Sequence, residues 1–145
     1  MDYTVKTNRH QRITLEIISL LLVLLFLYTG VDKLTNVSRF GMIMAKSSIL
    51  MPFAPALSVA VPSIEIVTAF LLLVPKLRTI GLYISFTLMA LFTTYVVYIL
   101  KFSPTIPCTC GGVIEYMRWS HHLIFNIFFT IISGVGIWIN KRTQF

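Results

Sequence analysis

Apolar residues in this chain fall in four long blocks rather than in alternating stripes. Ile13–Val31, Phe53–Val74, Thr79–Leu100 and His121–Ile139 are nearly unbroken runs of aliphatic and aromatic side chains. Glu16 is the single fixed charge of the first block and Glu65 of the second, while the third and fourth have none. A helix needs roughly 17–25 such residues to cross the hydrocarbon of a bilayer, and each block is of about that length. Lipid offers the backbone no hydrogen-bond partner, so a run buried in it closes its own bonds as a helix. The pattern predicts an all-α integral membrane protein, a four-transmembrane-helix bundle in one membrane domain over residues 1–145 with no separate soluble domain.

The connections refine this picture. The first block follows the basic residues Lys6, Arg9 and Arg12 and ends at Tyr28-Thr29-Gly30 without a small-x-small cleavage site, so it reads as a retained anchor rather than a signal peptide. Between the first two blocks, Leu34, Val37, Phe40, Ile43 and Met44 recur at helical spacing beside Lys33, Arg39 and Lys46. That predicts an outer amphipathic helix lying in the interface. Pro52 and Pro55 mark the start of the second span, and Pro62 inside it is expected to kink the helix. Pro75-Lys76-Leu77-Arg78 is short enough to make spans two and three an antiparallel hairpin. Ser133, Gly134 and Gly136 in the fourth span allow close helix approach, within the bundle or in a larger membrane complex.

Composition agrees with a bilayer partner. The chain is 57% hydrophobic and only 12% charged, with mean hydropathy +0.85, far from a soluble domain, where about a quarter of residues are charged. The net charge of +7 is scattered at segment ends, as membrane anchoring requires, and does not point to nucleic acid. An even number of spans puts both termini on one side. That side holds seven basic residues (Lys6, Arg9, Arg12, Lys76, Arg78, Lys141, Arg142) against five on the other (Lys33, Arg39, Lys46, Lys101, Arg118). The positive-inside rule then predicts cytoplasmic termini in a bacterial inner membrane, with the connection Lys101–Ser120 facing the periplasm.

That connection carries the only cysteines, Cys108 and Cys110, in Pro107-Cys108-Thr109-Cys110-Gly111-Gly112. A C-x-C disulfide closes almost no loop, so it removes little unfolded-state entropy and makes a poor staple. A small strained ring is easily reduced, which favours thiol–disulfide exchange. Lys101 and Arg118 flank the loop and would favour the thiolate on approach. Soft-metal binding is the rival chemistry, with Cu(I) or zinc held by Cys108, Cys110 and His122. His122 shares a helix face with Trp119 and Asn126, under the cysteine connection, where it would shuttle a proton or bond a carbonyl ligand. His121 reads as an interfacial histidine. Asn126 is either interhelical glue or a ligand contact. Glu65, mid-span, must be protonated, paired or facing a wet cavity, and is either a proton relay or ligand anchor or an interhelical hydrogen bond. Tyr28, Lys33, Thr94, Tyr95 and Tyr98 lie toward the same outer half, where an aromatic belt and a pocket for a flat ring are both consistent with them.

These residues resemble the MauE/DoxX group of small four-span membrane proteins, and its redox-associated MauE-like branch in particular. The resemblance is carried by Gly30-Val31-Asp32-Lys33-Leu34, Phe40, Pro62 and Glu65. Its most specific part is Cys108-Thr109-Cys110-Gly111-Gly112 followed by Trp119, His122-Leu123 and Phe125-Asn126. It implies a cytoplasmic-membrane protein with a redox-active disulfide that exchanges electrons with a periplasmic thioredoxin-fold partner. It also implies a quinone as electron sink, held near His122, Asn126, Tyr98 and Glu65. The bundle is similar to membrane thiol–quinone oxidoreductases, which use two cysteine pairs where this chain has one. The alternative from a different class is a non-enzymatic assembly subunit whose disulfide only shapes the outer loop.

Overall fold

The computed structural model describes residues 9–102 and 119–144, with side chains for 9–102 and 121–143. These residues form α1 (Arg9–Thr35), α2 (Val37–Ala45), a 3-10 turn (Met51–Phe53), α3 (Ala54–Leu73), α4 (Arg78–Phe102) and α5 (Trp119–Gln144). Four segments are long and apolar enough to cross a membrane, Arg9–Thr35, Met51–Leu73, Arg78–Phe102 and His121–Thr143. The chain is thus a multi-pass, all-helical membrane protein, as its hydropathy blocks predict.

The four long helices pack around one centre with antiparallel neighbours. Glu16 of α1 meets Arg78 at the start of α4, whereas Gly30, in the last turns of α1, lies against Pro62 and Ile66 of α3. Gly81 of α4 faces Leu72 of α3. Thr79 bonds Asn140 at one end of the α4–α5 pair and Thr93 meets Thr130 nearer the other. Gly136 of α5 packs on Ile18 of α1. One end of the bundle therefore holds Arg9, the α3–α4 turn and Lys141. The other holds α2, the end of α4 and the start of α5.

Each helix buries a stripe at the helical repeat. On α1 the stripe is Leu15, Ile18, Leu22, Phe26, Gly30 and Lys33. On α3 it is Ala54, Ser58, Pro62, Glu65, Ala69 and Leu72. On α4 it runs from Gly81 through Ser85 and Met89 to Val96, and on α5 it includes His122, Asn126, Ser133 and Asn140. The apolar centre, built on Leu22, Phe26, Leu72 and Leu82, fills the half of the bundle nearer Arg9. The opposite faces remain exposed and apolar, with Leu20, Phe70, Leu91 and Ile131 all at least 56% exposed, as lipid contact requires.

Helix ends follow local chemistry. The first span is expected to stop at Val31, but α1 continues to Thr35. There Thr35 Oγ1 donates to the Val31 and Asp32 carbonyls and Asn36 Nδ2 donates to the Asp32 carbonyl, which occupies acceptors that a helix end leaves open. The outer helix expected from the Leu34–Met44 pattern is α2. It buries Ile43 and Met44 and exposes Ser38, Arg39 and Met42. Helix α3 runs through Pro62 without interruption.

Candidate functional site

A cavity of about 430 Å³ lies at the α2 end of the bundle, between α1, α2, α3, α4 and α5. Its walls are mainly aliphatic and aromatic, with Phe40, Phe92, Tyr95 and Phe125 contributing rings. Polar side chains from three helices reach the same space: Thr29 and Lys33 of α1, Glu65 of α3, and His122 and Asn126 of α5. The composition is that of an ordinary small-molecule site, an apolar hollow with a few placed polar groups.

Lys33 and Glu65 anchor it. Lys33 Nζ donates to Glu65 Oε1 at 2.6 Å, with side chains 10% and 1% exposed. The ammonium also stands over the rings of Phe92 and Phe40, 4.8 and 5.5 Å from their centroids, which adds cation–π attraction in a place without water. Gly30 permits this meeting, because a Cβ there would come within 3.1 Å of the Pro62 carbonyl oxygen and 2.9 Å of Ile66 Cγ1. The close α1–α3 approach sets Glu65 against Gly30, within reach of the long side chain of Lys33 one turn further along α1.

The second carboxylate oxygen is left over. Thr29 stands beside Glu65, but its hydroxyl donates to the Leu25 carbonyl. Glu65 Oε2 is buried without a hydrogen-bond partner among the described residues, and so is Asn126 Nδ2. Ser19 Oγ is likewise buried without a partner among the described residues, but other buried hydroxyls behave differently. Thr68, Ser85 and Ser133 each donate to a carbonyl of their own helix and need nothing from outside.

The sequence-derived site residues divide as follows. His122 and Asn126, one turn apart on α5, are 7% and 4% exposed and both line the cavity with Glu65. Cys108, Cys110 and Arg118 lie outside the described residues, as does the side chain of Trp119. Tyr98, expected beside the ligand, is not among the cavity-lining residues and packs instead on Phe102 with ring centroids 5.6 Å apart. Tyr95 lines the cavity in its place, because it follows Leu88 and Phe92 on one face of α4 while Tyr98 sits on the next. His121 is exposed, as expected, and so are Tyr28, Thr94 and Lys101. Sequence reasoning set Lys33 among outer-half residues that a belt or a pocket would explain equally, and missed its pairing with Glu65. The available clue was its position at the helical repeat after Leu22, Phe26 and Gly30, on the stripe that α1 buries.

Comparison with known proteins places the chain by sequence. The family model described as Methylamine utilisation protein MauE matches residues 11–139, which takes in all four spans and both outer connections. No curated protein and no solved structure matches the chain. The match covers most of the chain, so this four-span membrane protein belongs to the MauE family.

Proposed function

We propose that this protein is a membrane-embedded thiol–disulfide redox protein, in which Cys108 and Cys110 exchange electrons with a periplasmic thioredoxin-fold partner. One observation carries the reading. The polar cluster of Lys33, Glu65, His122 and Asn126 opens into an apolar cavity at the end of the bundle where α4 finishes at Phe102 and α5 begins at Trp119. The chain between those residues is the cysteine connection, and both of its attachment points lie at that end of the bundle.

The exchange runs through a mixed disulfide. A partner thiolate attacks one sulfur of the Cys108–Cys110 bond, and the second partner thiolate then displaces it. The partner gains a disulfide while Cys108 and Cys110 gain two electrons and two protons; the reverse direction uses the same steps. The residues of the cavity fit a quinone ring. Asn126 Nδ2 and the imidazole of His122 suit ring oxygens, and the aromatic walls suit the ring faces. When bound, a quinone supplies a two-electron, two-proton sink. Lys33 and Glu65 hold a fixed pair of opposite charges beside it, and the packed helices exclude water.

Thiol trapping in intact membranes tests this. The pair is expected to change from oxidised to reduced when respiratory quinone is withdrawn, and Cys110→Ser to accumulate a mixed disulfide with the partner. A pair that stays oxidised under both conditions would instead support an assembly subunit with a structural disulfide.

A further inference from the structure

Part of the cavity wall reaches the lipid-facing surface of the bundle. Near the Arg9 end, α3 and α4 touch closely: a Cβ on Gly81 would meet the Leu72 backbone nitrogen at 3.0 Å. Toward the cavity the same helices contribute side chains that also face outward. Ile64 of α3 is 45% exposed and Leu91 of α4 is 60% exposed, and both line the cavity. Each lies near the middle of its membrane-spanning segment. The seam between α3 and α4 therefore leads from the cavity sideways into hydrocarbon, and a solute using it must be dissolved in the bilayer.

The polar atoms narrow the solute further. Lys33 and Glu65 neutralise each other, so the pair offers no net charge to an ion. Glu65 Oε2 still needs a donor and Asn126 Nδ2 still needs an acceptor, and buried polar atoms without partners are costly and rare. A phosphate headgroup brings only acceptors and negative charge, which Oε2 repels. An oxidised quinone brings two acceptors and would serve Asn126 while leaving Oε2 bare. A ring carrying a hydroxyl and a second oxygen serves both, and Phe92 and Phe125 supply apolar faces for it.

We infer that the cavity exchanges a quinone carrier with the bilayer through the α3–α4 seam and holds it most tightly as the uncharged hydroquinone formed when it takes up electrons, its hydroxyl donating to Glu65 Oε2 and its other ring oxygen accepting from Asn126 Nδ2. The inference rests on the proposed redox reading for the ligand's purpose, and adds which redox state is held most tightly and by what route the carrier enters and leaves.

The test is equilibrium binding to the full chain in phosphatidylcholine nanodiscs under anaerobic conditions, with a short-tailed trimethylhydroquinone, its quinone and its dimethyl ether as probes. Losing one hydrogen bond to a buried charged group is worth about tenfold in affinity or more. The hydroquinone is therefore expected to bind about tenfold tighter than either the quinone or the ether. Glu65→Gln is expected to bring that ratio toward one, because Lys33 claims the amide oxygen and leaves an NH2 facing the ligand. Leu91→Trp, at an exposed position where the fold tolerates bulk, is expected to slow association of all three probes several-fold. Equal binding of hydroquinone and ether to the unaltered protein would overturn the assignment to Glu65. Unchanged association in Leu91→Trp would overturn the lateral route, and that variant serves even if Glu65→Gln fails to fold. Binding is read without turnover. A tenfold ratio with no cysteine cycling thus supports this inference and removes the redox reading alone, while cycling without the ratio does the reverse.

Discussion

Lys33 and Glu65 form an ion pair 2.6 Å long inside a segment that crosses the membrane. Breaking such a pair from one side leaves a buried charge uncompensated, which costs about 3–5 kcal/mol. Removing both charges with apolar groups of similar volume is close to neutral. Lys33→Met is accordingly expected to lower unfolding stability by that amount in a fixed detergent, and Lys33→Met with Glu65→Leu to recover most of it. A double variant as unstable as the single one would mean that packing, not charge, sets the cost. The pair between Arg78 and Glu16 is the control. Its glutamate side chain is 54% exposed, and exposed pairs contribute about 0–1 kcal/mol, so Glu16→Gln should shift the same measurement little.

At the scale of helices, glycine positions set how near α1, α3 and α4 come. Gly30→Ala puts a methyl against the Pro62 carbonyl and Ile66, at 3.1 and 2.9 Å, and the carbonyl is backbone that cannot turn aside. Overpacking of this kind costs about 1–3 kcal/mol. It also pushes α1 from α3 where Lys33 meets Glu65, so Gly30→Ala should weaken hydroquinone binding as well as thermal stability. Gly134→Ala is different. Its added methyl meets only the Phe86 ring at 3.5 Å, an ordinary contact, and alanine is the better helix former by about 1 kcal/mol. Its melting temperature in detergent should hold or rise, and a fall as large as that of Gly30→Ala would show that both positions are limited by something other than space.

For the molecule as a whole, the antiparallel order of the spans puts the α3–α4 turn at the same end as Arg9 and Lys141, and the attachment points of the cysteine connection at the other. Charge counting predicts that the first end faces the cytoplasm. A membrane-impermeant thiol reagent is expected to label reduced Cys108 and Cys110 in spheroplasts. A cysteine placed at Lys76 in a Cys108→Ser, Cys110→Ser background should be labelled only in inverted vesicles. Labelling of both from the same side would contradict the bundle topology, and a clean exchange of the two patterns would reverse the orientation while leaving the topology intact.

What the sequence determined by itself was the number and place of the spans, the outer helix α2, and the value of Glu65, His122 and Asn126 as residues to watch. Hydropathy and helical repeat are local properties, and an isolated polar residue in an apolar run is conspicuous without any fold. What only the tertiary structure decided was partnership. Glu65 lies 32 positions from Lys33, and nothing local to either names the other. Their meeting follows from an antiparallel α1–α3 contact closed down by Gly30. The same holds for Tyr95 and Tyr98, two tyrosines of one helix that sequence cannot rank. The rotation of α4 against α5 turns the first into the cavity and leaves the second on Phe102, because packing of the whole bundle, not the residue's own chemistry, sets which face of a helix points inward.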